Sequence, residues 1–265
     1  MSIKLIAIDI DDTLITDELV ITQSCQEAIA SARAKGVRVV LATGRMLSSA
    51  LPYALQLGLT DPLICYNGGL IQSPTEDEPL FHHPVPLDLA SDIVVTGERA
   101  GLHVNIYLDD RMYIKEFNEY TRFYMSVGGI EAYPVGELSA FMDRPPTKVL
   151  YVSESRIIAE WQDELKERYQ GQVEVYISKP QYLEFTALGI SKGSAIKELA
   201  EMYGLKLEQV MAIGDSFNDI PMLEYAGVGV AVANAPPEVQ AKADYVTLSN
   251  EEDGVAEAIR RFVLS

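Results

Sequence analysis

The chain has 265 residues, 48% of them hydrophobic, enough to bury one large core or two ordinary ones. Its 39 acidic and 21 basic residues give a formal charge of −18, which repels polyanions, so no nucleic-acid or anionic-membrane partner is expected. Cys25 and Cys65 lie in apolar context, which suits a reducing cytoplasm; the first apolar stretch stops at Asp9, too short for a signal peptide, and no run approaches a membrane span.

In chain order, an apolar run at 3–8 reads as a fully buried strand and leads straight into Asp9-Ile10-Asp11-Asp12-Thr13-Leu14. A buried parallel strand that ends in acidic residues delivers carboxylates to the sheet edge where open α/β folds place their chemistry. Apolar runs at 37–42 and 63–66 then alternate with helical stretches near 24–35 and 46–57, with Gly36 and Gly58 as helix stops. The middle reads differently. Alternating runs at 103–108 and 111–115 flank Asp109-Asp110, and runs at 172–178 and 181–186 flank Lys179-Pro180; both are hairpin patterns, and the segment is expected to be antiparallel. Helical stretches near 87–99, 117–126 and 156–169 intervene. After about residue 190 the alternation returns: a helix at 193–203, a strand at 209–213, a helix at 217–225, a strand at 228–232, then helix, strand and helix. The fold class expected is α/β, a parallel-sheet domain into which an α+β module of roughly a hundred residues is inserted.

Asp9 and Asp11 could simply cap a helix or solvate a turn. Three further strand-to-loop junctions favour chemistry. Ala42-Thr43-Gly44-Arg45 offers a hydroxyl, a glycine that admits close backbone approach, and a helix start that favours negative charge. Ser191-Lys192-Gly193-Ser194 places a point positive charge at another helix start. Gly214-Asp215-Ser216-Phe217-Asn218-Asp219 follows the buried run at 210–213 and adds two carboxylates and an amide. Asp9, Asp11 and Asp215 brought together without counter-charge would repel one another, which calls for a hard cation such as Mg²⁺.

These four segments, in this order along the whole chain, resemble the four motifs of the haloacid dehalogenase-like superfamily of phosphohydrolases, in its Cof-type branch. The resemblance implies a Rossmann-like catalytic core of residues 1–82 and 187–265 with an inserted α+β cap domain at 83–186. It implies that Asp9 is a nucleophile forming an aspartyl phosphate and that Asp11 is the general acid and base. Thr43, the Gly44 backbone and Lys192, with Asn218 and the Ile10 amide, would hold the phosphate. Mg²⁺ would be bound by Asp9, the Asp11 backbone carbonyl and Asp215, with Asp219 behind them. Position 12 is often Gly in the family and is Asp here, and its carboxylate is expected to face away from the metal.

Asn67-Gly68-Gly69 is another glycine-bearing loop at the same sheet edge, or else a tight hairpin turn. The run Glu184 to Ile190 departs from related sequences, which often have Pro or Asn at Thr186 to Leu188. His82, His83 and His103 lack ligand spacing and are expected to pack or lie at the surface. Trp161, Tyr107, Tyr113, Tyr120 and Tyr124 are read as core rather than specificity residues. The function expected is a cytoplasmic Mg²⁺-dependent phosphatase of a small phosphorylated metabolite. A sugar phosphomutase, a phosphoacceptor signalling protein and a phosphate-binding protein are the alternatives.

Overall fold

The computed structural model describes residues 2–128 and 130–265. The chain opens with β1 (Leu5–Ile8), α1 (Gln23–Ala34), β2 (Arg38–Leu41), α2 (Leu47–Gln56), β3 (Leu63–Cys65) and β4 (Leu70–Gln72). Its middle holds β5 (Phe81–His82), α3 (Leu87–Arg99), β6 (His103–Leu108), β7 (Arg111–Ile114), α4 (Glu119–Gly128), β8 (Ala132–Pro134), α5 (Leu138–Phe141), β9 (Lys148–Val152), α6 (Ser155–Arg168), β10 (Val173–Lys179) and β11 (Tyr182–Ala187). It closes with α7 (Lys192–Met202), β12 (Val210–Gly214), α8 (Ile220–Tyr225), β13 (Val228–Ala231), α9 (Pro237–Gln240), β14 (Tyr245–Val246) and α10 (Gly254–Ile259). Two compact units result: Met1–Gly44, Ala50–Leu80 and Ser191–Ser265 form one, and Arg45–Ser49 with Phe81–Ile190 the other.

The first unit is built on a parallel sheet of order β14-β13-β12-β1-β2. Every residue of β1 is fully buried, because both faces of the sheet are covered, and so the strand is an unbroken apolar run rather than an alternating one. Helix α1 starts where the Thr22 side chain accepts from the Cys25 N–H, and it packs against α10, while α7 packs against α8. The chain leaves β1 for β2 on one side and returns to β12 on the other. The switch point between β1 and β12 opens a crevice at the carboxyl ends of the strands. The bridge from Ala42 to Ile64 carries the same edge on to β3, and β3 pairs with β4 as a hairpin through Tyr66-Asn67-Gly68.

The second unit has a six-stranded sheet of order β10-β11-β9-β6-β7-β8. The β6–β7 hairpin turns through Asp109 and Asp110 at φ 50° and 54°, the two left-handed residues that a primed turn requires. One face buries Ile106, Tyr151 and Phe185 against Ile93 and Val94 of α3 and Ile158 and Leu165 of α6, with Trp161 packed at the margin. His103 points to the other face, where Asn118 and Thr121 hydrogen-bond its two ring nitrogens and burial pulls its pKa down to about 4.

Two expectations are corrected, and one strand was not foreseen. The sheet of the second unit is not wholly antiparallel, since β7 and β8 run parallel through Met112 and Ala132. The helix expected at 217–225 is a 3₁₀ turn, Phe217–Asp219, followed by α8, because Pro221 can stand only in the first turn of a helix. Strand β9, central to its sheet, went unread because it begins with a lysine directly after Pro145-Pro146-Thr147.

Candidate active site

Asp9 follows the last residue of β1, and its N–H donates to Ile213 O at 3.0 Å, so it stands level with the end of β12. It is 3% exposed. Lys192 is the first residue of α7, whose start is fixed by Ser191 and Ser194 bonding reciprocally. Its ammonium, 1% exposed, donates to Asp9 Oδ1 at 2.5 Å and to Asp219 Oδ1 at 2.6 Å. Asp219 is fully buried, and its Oδ2 accepts from the N–H groups of Asp215 and Ser216 at 3.0 and 2.9 Å. Gly214 is required beside it, because a Cβ there would lie 2.6 Å from the Asp219 side chain. Asp215 accepts from Thr13 Oγ1 at 2.8 Å and from Ser216 Oγ at 3.1 Å.

The carboxylates of Asp9, Asp215 and Asp219 each offer an oxygen within 4.8 Å of the other two. Burial raises the Asp9 carboxyl well above its ordinary range; Lys192 opposes that shift, and Asp219, Asp215 and Asp11 reinforce it. Burial and then Asp219 push Asp215 up to about 6, against the bond from Thr13. For Lys192, burial works toward a lower value, yet Asp219 and Asp9 outweigh it and hold the ammonium above its ordinary range. One ammonium thus faces three buried carboxylates. The surplus negative charge and the all-oxygen donor set fit a hard divalent cation such as Mg²⁺.

Asp11 is half-buried at φ −71° and ψ 133°, in the turn that follows Asp9, and its charge is felt at Asp9. Ile10 is buried in the same turn, and its carbonyl accepts from the Ile15 N–H. Asp12 sits at φ 56° with an exposed side chain outside the carboxylate group. Thr43 is fully buried at the end of β2, and its N–H donates to Ile64 O. Gly44 lies against Asn67, and Asn218 Nδ2 donates to Asn67 Oδ1 at 2.9 Å. The sequence reading gave no role to Thr13 or Ser216, which hold Asp215, nor to Asn67. Thr13 stood inside the first acidic motif, and its position four residues after Asp9 was the available signal.

A family model described as haloacid dehalogenase-like hydrolase matches residues 6–259. The 5-amino-6-(5-phospho-D-ribitylamino)uracil phosphatase YcsE of Bacillus subtilis is 36% identical, over 100% of this chain and 97% of its own. A phosphoglycolate phosphatase of Methanothermobacter thermautotrophicus is 31% identical, over 98% and 99%. Among solved structures, a haloacid dehalogenase-like hydrolase from Bacteroides thetaiotaomicron superposes with a TM-score of 0.90 at 31% identity, covering 98% of this chain and 99% of that one.

Proposed function

The chain belongs to the haloacid dehalogenase-like hydrolases, and from that membership we propose that it is a Mg²⁺-dependent phosphatase that hydrolyses phosphomonoesters of small metabolites through an aspartyl phosphate on Asp9. The observation that carries this reading is the buried carboxylate held at the end of β1 by a buried lysine, with two further carboxylates beside it. The phosphatase activities of the two relatives support the reaction, and their different small substrates support the substrate class.

Lys192 occupies Asp9 Oδ1, which leaves Oδ2 to attack phosphorus. A bond forms from Oδ2 to phosphorus as the bond from phosphorus to the alcohol oxygen breaks. Asp11, half-buried and two residues on, gives its proton to that oxygen. Asp11 then takes a proton from water, the water oxygen bonds phosphorus, and Asp9 leaves as a carboxylate with inorganic phosphate as product. Thr43, the Gly44 and Ile10 backbones, Lys192 and Asn218 hold the phosphate oxygens. Asp9, Asp215 and the Asp11 backbone carbonyl would hold Mg²⁺, which supplies positive charge against the approach of a phosphate dianion to an anionic carboxylate. Asp219 fixes Lys192 from behind. The inserted segment 83–186 serves as the cap that selects the leaving group. Cys25 and Cys65, both buried and not joined in a disulfide, support a cytoplasmic location.

The test is phosphate release from p-nitrophenyl phosphate and a panel of phosphomonoesters, with Mg²⁺ or with chelator, for the parent and Asp9→Asn. Turnover that needs Mg²⁺ and disappears in Asp9→Asn is the expected result. Conversion of a sugar phosphate to its isomer with little free phosphate would instead make the protein a mutase.

A further inference from the structure

Asn67 has no part in the chemistry above, yet it touches two segments that do, and its neighbour Gly68 touches a third. Its N–H donates to Thr43 O at 2.9 Å, a Cβ on Gly44 would meet its Oδ1 at 3.2 Å, and that Oδ1 accepts from Asn218 Nδ2 at 2.9 Å. The following residue, Gly68, stands at φ 106° and passes so close to the loop before Lys192 that a Cβ would lie 2.5 Å from Ser191 O. Asn67 itself is 3% exposed at φ 56°, a left-handed conformation that Asn tolerates better than most residues.

The bond to Asn218 leaves a remainder. Asn218 Oδ1 is buried and accepts no hydrogen bond among the described residues. A buried unpaired acceptor is costly, and its position calls for a reason. Two amides can bond in either of two senses. In the sense present, Asn218 donates and its carbonyl oxygen is left over; with both amides turned over, Asn67 donates and the Asn218 NH₂ is left over. The first sense leaves one Asn218 N–H beside an unpaired carbonyl oxygen; the second leaves both N–H groups and pairs that oxygen, which is the arrangement an oxyanion favours.

We propose that Asn67 is a positioning residue for phosphate. It holds the Asn218 amide in place and turns over with it, so that Asn218 presents N–H to a bound phosphate while Asn67 donates to Asn218 Oδ1. This inference rests on the phosphatase reading, in which Asn218 meets the phosphate. An acceptor-only side chain at position 67 could not follow the turn: it would keep Asn218 donating inward and leave its carbonyl oxygen facing the anion.

The experiment titrates inorganic phosphate by calorimetry, in the presence of Mg²⁺, against the parent, Asn67→Gly, Asn67→Asp, Asn218→Ala and the Asn67→Gly/Asn218→Ala double variant. KM and kcat for the best phosphomonoester and melting temperatures accompany it. Asn67→Gly keeps the left-handed backbone and removes the amide. Loss of a hydrogen bond to a charged group corresponds to about ten- to a hundredfold in affinity. Each single substitution is expected to weaken phosphate by that factor with a parallel rise in KM, and the double variant no further than the worse single. Asn67→Asp should not rescue. Parent-like phosphate affinity in Asn67→Gly or Asn67→Asp overturns the inference, as do losses that multiply in the double variant, or a fall in melting temperature with unchanged affinity and KM. A parent that neither turns over phosphomonoesters nor binds phosphate overturns the phosphatase reading instead.

Discussion

Replacing Asp215 by Asn should stabilise the metal-free protein at neutral pH while destroying its function. In the unfolded chain this carboxyl ionises near 3.8, and in the folded protein near 6, because burial and the neighbouring Asp219 charge oppose its ionisation. Between those values the folded state binds more protons. The contribution of the group to stability is therefore fully present below pH 3.8 and is lost as pH rises through 6. At about 1.36 kcal/mol per pH unit, holding the carboxylate ionised at pH 7.5 costs roughly 3 kcal/mol relative to the unfolded chain. Asn avoids that cost and keeps an oxygen for the Thr13 hydroxyl, but it gives up the oxygen that accepts from Ser216, a loss of about 1 kcal/mol. The net gain is about 2 kcal/mol, or roughly 5 °C in melting temperature for a chain of this size. Thermal melts of both proteins with chelator at pH 4 and pH 7.5 measure it, and the difference between them isolates this carboxyl from the rest of the −18 charge. The variant should be the more stable at pH 7.5 and lose that advantage at pH 4. Saturating Mg²⁺ should raise the parent more than the variant and reverse the order at pH 7.5. A variant less stable than the parent at pH 7.5 without metal, or a difference that does not change with pH, would refute the reasoning.

Lys192→Met leaves Asp9 and Asp219 buried without their shared cation, so a loss of about 3–5 kcal/mol is expected in urea denaturation. That loss should be greater at pH 8 than at pH 5, where the orphaned Asp9 carboxyl, raised by burial, takes up a proton. Gly214→Ala drives a methyl into the immobile Asp219 side chain and should cost about 1–3 kcal/mol together with most of the phosphatase activity, whereas Gly101→Ala, with open space around it, should cost stability without activity. In the second unit Lys148 and Glu184 form a buried pair at 3.0 Å. Lys148→Met alone should therefore destabilise more than the Lys148→Met/Glu184→Leu double variant, and additive losses in equilibrium unfolding would count against a desolvated pair.

The elements legible in the sequence were those whose burial leaves a periodic or unbroken apolar trace. Strand β1 reads as a run because both its faces are covered, and β6 and β7 read as a hairpin because their alternation flanks two residues suited to left-handed backbone. Strand β8 is three residues long and pairs in parallel with β7, so neither length nor a turn announces it. Strand β9 hides behind a buried lysine whose counter-ion, Glu184, lies far along the chain. At the site, the segments that meet were legible from their acidic and glycine residues, but the bonds among them were not. Lys192 was read only as a phosphate ligand. The structure adds that it is held by Asp9 and Asp219, a contact between residues 183 and 27 positions apart that no local spacing encodes. Asn67 could not be given a role, because a left-handed Asn before Gly serves a hairpin as well as it serves a site.

What the fold supplies to this site is rigidity gained from backbone rather than from side-chain packing. Asp9 is placed by a ladder bond to Ile213, Lys192 by the capped start of α7, and Asp219 by two peptide N–H groups at the end of β12. Each anchor belongs to a different chain segment, and the three meet where the strand order reverses. A peptide anchor cannot change rotamer. The Lys192 ammonium is held between two oxygens, those of Asp9 and Asp219, whose own positions are fixed by these peptide anchors. The surplus negative charge persists until a cation enters or a carboxyl takes up a proton. The same confinement that makes the site expensive when empty makes it selective when filled, since only a ligand that brings positive charge to buried oxygens lowers its energy. Relaxing the anchor instead of the charge, as Ser191→Ala and Ser194→Ala would by removing the reciprocal cap on α7, should weaken Mg²⁺ stabilisation in the melt without abolishing it. Unchanged Mg²⁺ stabilisation in that double variant would show that charge alone, without the backbone anchors, is sufficient.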